Sequence, residues 1–275
     1  MGKGHLTDVA YWDRNWASRP APDPLDPARP GLNGTMSRSL HRFFERFFVK
    51  LAVKPGDLIV EAGSGGSIIL PYFKTQFQLR AEGIENSPVG TETSRAIAAK
   101  SGVETPIHDA DLFKLPPHLL QRYDIVFSYG LVEHFLPTTL ILDQLKSIAR
   151  PGGHLVTLIP NMRGVVGWLQ KVANPEVFAI HVPLSAAELA QAHRDSGLEV
   201  IEYGYIMTVN FSAINFAGSG RLLSGAGPRL ASWGSKLVWL AESLRFPEMP
   251  NALTSPYAFV IARKKTELSK LPHSG

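Results

Sequence analysis

A glycine-rich segment after a short apolar run is the feature that most constrains this chain of 275 residues. Residues 58–70 read Leu-Ile-Val-Glu-Ala-Gly-Ser-Gly-Gly-Ser-Ile-Ile-Leu, so the apolar run ends in an acid and three glycines follow within four positions. A short apolar run bounded by glycines predicts a buried parallel strand, a tight turn and the start of a helix. Glycines let a ligand lie against bare backbone, and the first N–H groups of a helix are unpaired. The segment therefore predicts a nucleotide-type pocket.

Apolar runs and helical stripes alternate along the rest of the chain. Further strands are predicted at 79–85, 104–108, 123–129, 154–159, 198–205 and 257–263, with helices at 37–51, 88–100 and 185–196 and another that ends at Ala149. This alternation is typical of a parallel sheet covered by helices on both faces. We predict an α/β fold with a doubly wound, mostly parallel, seven-stranded sheet. Residues 1–50 would form N-terminal lid and packing helices, 51–265 the main domain, and 266–275 a tail.

The composition excludes several kinds of site. The chain has no cysteine, which excludes disulfides, thiolate metal sites and cysteine nucleophiles. Its net charge of +4 comes without a long basic run, so nucleic acid is not an expected partner. The N-terminal residues lack the apolar core of a signal peptide, and no stretch reaches the roughly 20 apolar residues of a membrane span. We therefore expect a cytoplasmic protein without a transmembrane segment.

The glycine spacing argues against a phosphate cradle. A dinucleotide fingerprint needs a third glycine where this chain has Ile68, and the Gly-Lys-Ser/Thr of a phosphate loop is missing. Glu85 ends the second predicted strand about 20 residues after the glycine turn, the separation expected when neighbouring strand ends share one nucleoside. A carboxylate can accept both hydroxyl protons of a ribose. These features favour a nucleoside ligand without a phosphate.

Five motifs in this order resemble those of class I S-adenosylmethionine-dependent methyltransferases, over about residues 56–264. They are Glu61-x-Gly63-x-Gly65, Gly83–Pro88, Asp111–Pro116, Tyr129–Phe135 and Arg150–His154. The resemblance implies a Rossmann-like sheet with a helical insertion before the last strand. Ser67 stands where the family often has a glycine, which leaves the shape of the turn open.

The resemblance also implies the cofactor, S-adenosyl-L-methionine, and its product S-adenosyl-L-homocysteine. Glu85 would hold the ribose, and Asp111 would accept a hydrogen bond from the adenine amine. The residues implied to bind the cofactor are Tyr11, Trp12, Trp16, Glu61, Gly63, Ser64, Gly65, Glu85, Asn86, Asp111, Leu112, Phe113 and Tyr129.

The segment Tyr-Trp-Asp-x-x-Trp at residues 11–16 is similar to the N-terminal helix of several small-molecule methyltransferases, where it closes over the cofactor. The i, i+4 spacing of Trp12 and Trp16 places both on one face of a helix. The helix would either pack on the domain or act as a lid.

Two histidines are candidate general bases. The sulfonium already activates the methyl group, so an enzyme of this kind mainly aligns the nucleophile, and a base is needed only if the acceptor must lose a proton. His134 follows the fourth strand and His181 lies in the insertion after the fifth, and a structural role stays open for both. With Glu133 they could bind a metal, but metal-dependent relatives resemble Glu-x-x-Glu-His here, and Gly130 replaces the first Glu. We predict no metal.

The acceptor is less constrained than the cofactor. Insertions at about 161–183 and 210–250 would frame the acceptor pocket, as such additions do in this superfamily. Residues 221–246 predict an amphipathic helix that covers the pocket, forms a dimer face or contacts a membrane surface. We expect methyl transfer to an O or N atom of a small, partly apolar metabolite. An RNA 2′-O-methyltransferase and a non-catalytic cofactor-binding regulatory protein are the alternatives.

Overall fold

The computed structural model describes residues 4–217, 219, 221–244 and 246–266. Seven strands in these residues form one sheet in the order β3-β2-β1-β4-β5-β7-β6. The strands are β1 (Leu58–Ala62), β2 (Arg80–Glu85), β3 (Ile107–Asp109), β4 (Tyr123–Tyr129), β5 (Ala149–Pro160), β6 (Glu199–Ile206) and β7 (Tyr257–Arg263). The β7 strand is antiparallel to β5 and β6, and the other neighbours are parallel. The predicted doubly wound, mostly parallel sheet is confirmed.

Nine α-helices connect or cover these strands within the described residues. They are α1 (Val9–Ala17), α2 (Thr35–Lys50), α3 (Leu70–Phe77), α4 (Pro88–Lys100), α5 (Thr139–Ile148), α6 (Val165–Ala173), α7 (Pro175–Ala179), α8 (Ala186–Asp195) and α9 (Arg221–Leu244). Short 3₁₀ turns occupy Leu32–Gly34, Pro117–Leu119, Val132–His134 and Phe211–Ala213. Ser87 caps α4 as its sequence predicts, because its hydroxyl accepts a hydrogen bond from the Gly90 N–H at 2.9 Å. No helix among the described residues is both long enough and apolar enough to span a bilayer.

The hydrophobic core lies on both faces of the sheet. On one face, the apolar stripe of α2 packs with α3 and with inward-facing residues of β1 and β4, in an aromatic cluster that includes Phe44, Phe73 and Phe127. On the other face, Leu142 of α5 and Leu189 of α8 pack on the sheet. The two layers hold the strands rigidly, so the loops at their carboxyl ends have fixed positions.

Two strands, β3 and β5, differ from the sequence prediction by more than one residue at an end, and each does so for a clear reason. The predicted strand at 104–108 begins only at Ile107, because Pro106 has no N–H to donate to the ladder with β2. The predicted strand at 154–159 is part of a longer β5, whose Ala149 still pairs with Tyr123 across an irregularity in the register. Neither difference moves a residue at the carboxyl ends of β1, β2 or β4.

The strand order reverses between β1 and β4, which are neighbours at the centre of the sheet. The chain runs from β1 through β2 to β3 in one direction, and returns to continue on the other side with β4. In open α/β sheets such a switch leaves a crevice at the carboxyl ends of the strands, where ligands bind. The glycine turn after β1 and the segment after β4 flank this crevice.

Candidate active site

The glycine turn follows β1 directly and has the backbone that only glycine adopts freely. Gly63 and Gly66 have φ angles of +71° and +60°, in the left-handed region that L side chains rarely adopt. The Gly63 N–H donates to the carbonyl of Ile84 at 2.9 Å, and the Gly66 N–H donates to that of Gly90 at 3.2 Å. The turn is thus attached both to β2 and to the start of α4.

Ser67 closes the turn and lies three residues before the first residue of α3. Its hydroxyl donates to the Glu61 carboxylate and accepts from the N–H groups of Ile69 and Leu70, at 3.2 and 3.1 Å. A serine at this position therefore satisfies donors at the start of α3, which a glycine could not do. Burial raises the pKa of Glu61 to about 8, and the hydrogen bond from Ser67 opposes that shift.

Glu85 at the end of β2 is held in place by backbone donors. Its Oε2 accepts from the Gly65 N–H at 2.6 Å, and its Oε1 accepts from those of Asn86 and Ser87 at 2.9 and 2.7 Å. Burial raises the pKa of Glu85, while these N–H groups act to lower it. A carboxylate oriented in this way retains lone pairs for a ligand, because each oxygen can accept more than one hydrogen bond.

A first cavity of about 350 Å³ lies beside Glu85, at the carboxyl ends of β1 and β2. Its lining includes the predicted residues Asn86, Asp111, Leu112 and Phe113. The Asp111 carboxylate accepts from the Phe113 N–H at 2.9 Å, which fixes the loop after β3. An acid at two strand ends and an apolar wall between them suit a nucleoside, with its ribose hydroxyls and flat base. Leu131 and Phe135 of the Tyr129–Phe135 motif also line it but were not predicted to bind the cofactor, and the lining residue Thr7 had no recognisable signal in the sequence.

The N-terminal helix α1 covers the glycine turn. Asp13 on α1 accepts from the Ser87 hydroxyl at 2.6 Å and from the Val89 N–H at 3.4 Å, so it joins α1 to the start of α4. The Trp16 ring lies so close to the turn that a Cβ on Gly66 would be 2.4 Å from it. Trp12 and Trp16 share one face of the helix, with ring centroids 6.3 Å apart.

A second cavity of about 420 Å³ adjoins the first. Both are lined by Trp16, Gly63 and Gly130, so Trp16 stands between them. Apolar and aromatic groups make up much of the second wall, and these include Ile68, Ile69, Tyr129, Pro160, Ala213 and Tyr257. Tyr257 is brought to Tyr129 by the antiparallel pairing of β5 with β7, and the two ring centroids are 5.5 Å apart. Because these tyrosines are distant in sequence, no motif indicated their contact.

His134 and His181 meet at the wall of the second cavity, with ring centroids 4.6 Å apart. The Nδ1 of His134 is 2.7 Å from the carbonyl of Ile180, and the Nδ1 of His181 is 2.6 Å from that of Val177. A carbonyl oxygen only accepts, so each Nδ1 carries the proton and each Nε2 is left as an acceptor. Burial lowers the pKa of His134 to about 3, which keeps the ring neutral at pH 7.

Glu133 is the unexpected member of this group. Its side chain is buried, and neither carboxylate oxygen has a hydrogen-bond partner among the described residues. Burial raises its pKa to about 8. Ligand atoms of Glu133, His134 and His181 all lie within 4.8 Å of one another, which would allow them to hold a metal ion. The prediction of no metal rests on the missing fourth ligand at Gly130 and stays a prediction.

Two of the residues predicted to bind the cofactor line neither cavity. The Ser64 side chain lies beneath the turn against Gly83, and its hydroxyl has no hydrogen-bond partner among the described residues. The Tyr11 ring packs against that of Trp12, with centroids 5.2 Å apart. The other predicted residues line the first cavity, the second or both.

Comparison with known proteins agrees with this arrangement. Residues 32–203 match the family model described as a methyltransferase domain, which is more than half of the chain. The ubiquinone biosynthesis O-methyltransferase of Cupriavidus pinatubonensis is 23% identical over 202 residues, which cover 70% of this chain and 74% of the relative.

Solved structures share the fold at low identity. Geranyl diphosphate C-methyltransferase from Streptomyces coelicolor, in complex with Mg²⁺, geranyl diphosphate and S-adenosyl-L-homocysteine, has a TM-score of 0.55 and 14% identity. The alignment covers 93% of this chain and 97% of that one. The [4+2]-cyclase SpnF has a TM-score of 0.57 and 16% identity, with 94% and 93% covered. Likeness at this level establishes the fold alone.

Proposed function

The chain belongs to the methyltransferase domain family, and from this premise we propose that it methylates an O or N atom of a small, partly apolar metabolite. The chain is an S-adenosylmethionine-dependent methyltransferase of class I fold. The acceptor and the roles of individual residues are what we propose.

The first cavity and the glycine turn fit the cofactor. Glu85 would hold the ribose hydroxyls, and Asp111 the adenine amine, with Leu112 and Phe113 against the base. Gly63 and Gly65 leave bare backbone beside Glu61, where the amino acid part would lie. No group in this set is arranged to bind a phosphate, which agrees with a nucleoside sulfonium. When bound, S-adenosylmethionine supplies a methyl group that is already activated for transfer.

The lining of the second cavity is the observation that supports a small, partly apolar acceptor. Its apolar and aromatic wall suits a partly apolar molecule, and its polar groups are concentrated at His134, His181 and Glu133. A pocket that is mostly apolar and has a few convergent polar groups is typical of a small-molecule site. The cavity adjoins the proposed cofactor site at Gly63 and Gly130, so an acceptor there would lie next to the methyl group.

The two imidazoles would orient the acceptor and take its proton. The Nε2 of His134 can accept a hydrogen bond from an acceptor hydroxyl, because its Nδ1–H is fixed by the carbonyl of Ile180. An oxygen that gains a methyl group becomes strongly acidic, so even a histidine whose pKa is lowered can receive its proton. The same carbonyl then stabilises the imidazolium. His181 is fixed in the same way by Val177 and would do either task.

A screen with labelled cofactor tests the proposal. Purified protein is incubated with methyl-labelled S-adenosylmethionine and separate metabolite and RNA fractions of a cell extract, and labelled products are identified by mass spectrometry. We expect label in the organic-extractable metabolite fraction. Label confined to RNA would contradict the proposal and favour the 2′-O-methyltransferase alternative, for which RNA binding should also weaken steeply with salt.

The metal prediction has a direct test. Metal content is measured on the purified protein, and methyl transfer is measured with the acceptor from the screen before and after chelation. We expect no stoichiometric metal and unchanged turnover after chelation. Bound metal together with a loss of turnover that added divalent cation restores would contradict the prediction and assign Glu133, His134 and His181 as ligands.

A further inference from the structure

The helix α9 carries an apolar stripe that points into solvent. Its members follow a 3-4-3-4 spacing and are 70, 67, 66, 46 and 72% exposed: Leu230, Trp233, Leu237, Leu240 and Leu244. At 3.6 residues per turn these positions span about 80° of arc and about 21 Å of length. Of the three roles predicted from the sequence for this helix, covering the acceptor pocket with these residues does not fit, because the structure turns them outward.

The opposite side of α9 already has its packing partners. Trp239 is buried, and its indole N–H donates to the carbonyl of Val209 at 3.0 Å. The Ser235 hydroxyl accepts from the Phe211 N–H at 2.8 Å, and Gly234 lies against the Phe211 ring. These contacts fix which face of the helix is inward, so the outer stripe is not available to the core.

The charges beside the stripe have one sign. Arg229 and Lys236 lie next to it on the same flank, within about 40° of Leu240 by helical geometry, and neither forms an ion pair among the described residues. The one acid of α9, Glu242, lies about 160° from the centre of the stripe. Pairing of this face with a second copy in antiparallel orientation would bring these cations together without a compensating acid. An anionic surface complements them.

The stripe is also close to the proposed acceptor site. The 3₁₀ turn Phe211–Ala213, on which α9 packs, contributes Ala213 to the wall of the second cavity. The helix α6, whose Val166 and Ala173 form a hydrophobic cluster that Phe211 packs against, carries a second exposed apolar pair, Trp168 and Val172, at 64 and 60%. Exposed Trp and Leu flanked by cations are the composition of helices that lie in the membrane interface.

We propose that the outer face of α9 docks on an anionic membrane surface. The stripe enters the boundary between headgroups and acyl chains, and Arg229 and Lys236 contact anionic lipid headgroups. Docking of this kind places the second cavity near the bilayer. A lipophilic acceptor could then enter the cavity from the membrane, an extension that rests on the proposed function.

Vesicle binding by the full-length protein, without cofactor or acceptor, tests the docking. The protein is sedimented with one of two kinds of vesicle. One contains phosphatidylcholine alone, and the other contains phosphatidylcholine with about a third phosphatidylglycerol. We expect binding to the anionic vesicles. Leu237→Glu should weaken it about tenfold or more, and Lys236→Gln about fivefold. Val49→Glu is the matched control, because Val49 is 82% exposed on α2 and should bind like the wild type.

Three results would overturn the proposal. The wild type could remain in the supernatant with anionic vesicles, or all variants could bind alike. Sedimentation velocity could instead show a dimer that Leu237→Glu dissociates, with no vesicle binding, in which case the stripe is an interface between two copies. Since the assay needs neither cofactor nor acceptor, its failure would leave the methyltransferase function standing. Failure of the metabolite screen would likewise leave the docking standing.

Discussion

The two cavities of this protein lie side by side but are built in different ways. The first takes the two acids predicted to bind the nucleoside from the ends of adjacent strands, at Glu85 after β2 and Asp111 after β3, and each belongs to a short local motif. The second gathers residues from α1, from the segments after β4 and α7, and from the start of β7. Cofactor binding can therefore be inferred from local sequence, whereas the proposed acceptor pocket depends on how distant segments meet.

The two sites also differ in how their buried acids are satisfied. Glu85 accepts three backbone hydrogen bonds, while neither carboxylate oxygen of Glu133 has a partner among the described residues. A buried polar group without a partner costs free energy, so such groups concentrate where a ligand will supply the missing contact. The carboxylate of the first cavity is thus oriented by the backbone, whereas that of the second has no partner among the described residues to orient it.

Substitution of His134 gives the largest expected effect and tests whether the second cavity is the reaction site. His134→Asn should lower kcat by about a hundredfold to a thousandfold, because the proton acceptor is lost. Turnover is measured with the acceptor from the screen, and the melting temperature shows whether the fold is intact. The matched control is His154→Asn on β5, which lines neither cavity. Unchanged turnover in a folded His134→Asn variant would make this histidine structural.

Substitution of Glu85 tests the first cavity. Glu85→Ala should weaken the binding of S-adenosyl-L-homocysteine about fiftyfold in calorimetric titration, since two hydrogen bonds from ribose to a carboxylate are lost. Glu92→Ala is the control, because Glu92 is an exposed acid on the neighbouring α4. Equal affinities for the two variants would show that the ribose does not lie at Glu85.

The buried carboxyl of Glu133 leads to a prediction about how the stability of the protein depends on pH. Burial raises its pKa from 4.5 to about 8 in the folded protein, so its contribution to stability is present below pH 4.5 and is lost as the pH rises towards 8. Glu133→Gln does not titrate. In metal-free buffer its unfolding free energy should rise relative to that of the wild type by on the order of 3 kcal/mol as the pH goes from 5 to 8.

Denaturant unfolding at both pH values checks this prediction, with the exposed Glu176→Gln as control. A stability difference that does not change with pH would show that Glu133 is ionised in the folded protein, and so that an unseen partner compensates it.

Substitution of Trp16, the tryptophan of α1 that lines both cavities, has the smallest expected effect. Trp16→Ala should weaken S-adenosyl-L-homocysteine binding about tenfold, through lost apolar contact over the glycine turn. Trp168→Ala, on an exposed face of α6, is the control. If Trp16→Ala binds as tightly as the wild type, α1 packs on the domain without contributing to the ligand site.

Local sequence signals were enough to predict the bounds of several strands and helices. The bounds of β4, β7 and α4 were predicted to the residue, because a compact apolar run or a Ser-Pro start marks each of them. The predicted start of β3 and the predicted length of β5 were wrong. The bounds of a strand depend on hydrogen bonds to its neighbouring strands, which can pair with residues outside the apolar run. The apolar stripe of α9 was recognised, but its direction was not, since a helical pattern does not say which face is inward.

The sequence alone determined the cofactor and the frame that holds it. Parallel strands bring their carboxyl ends to one edge, so the positions of the motif Glu61–Gly65 and of the acid at Glu85 beside one proposed cofactor site follow from the strand pattern. Only the tertiary structure decided that the Ser67 hydroxyl accepts from the Leu70 N–H at the start of α3, and that His181 lies against His134 beside a carboxyl without a partner among the described residues. Contacts of the second kind join segments far apart in sequence, and they form only when the packed sheet fixes where each segment lies.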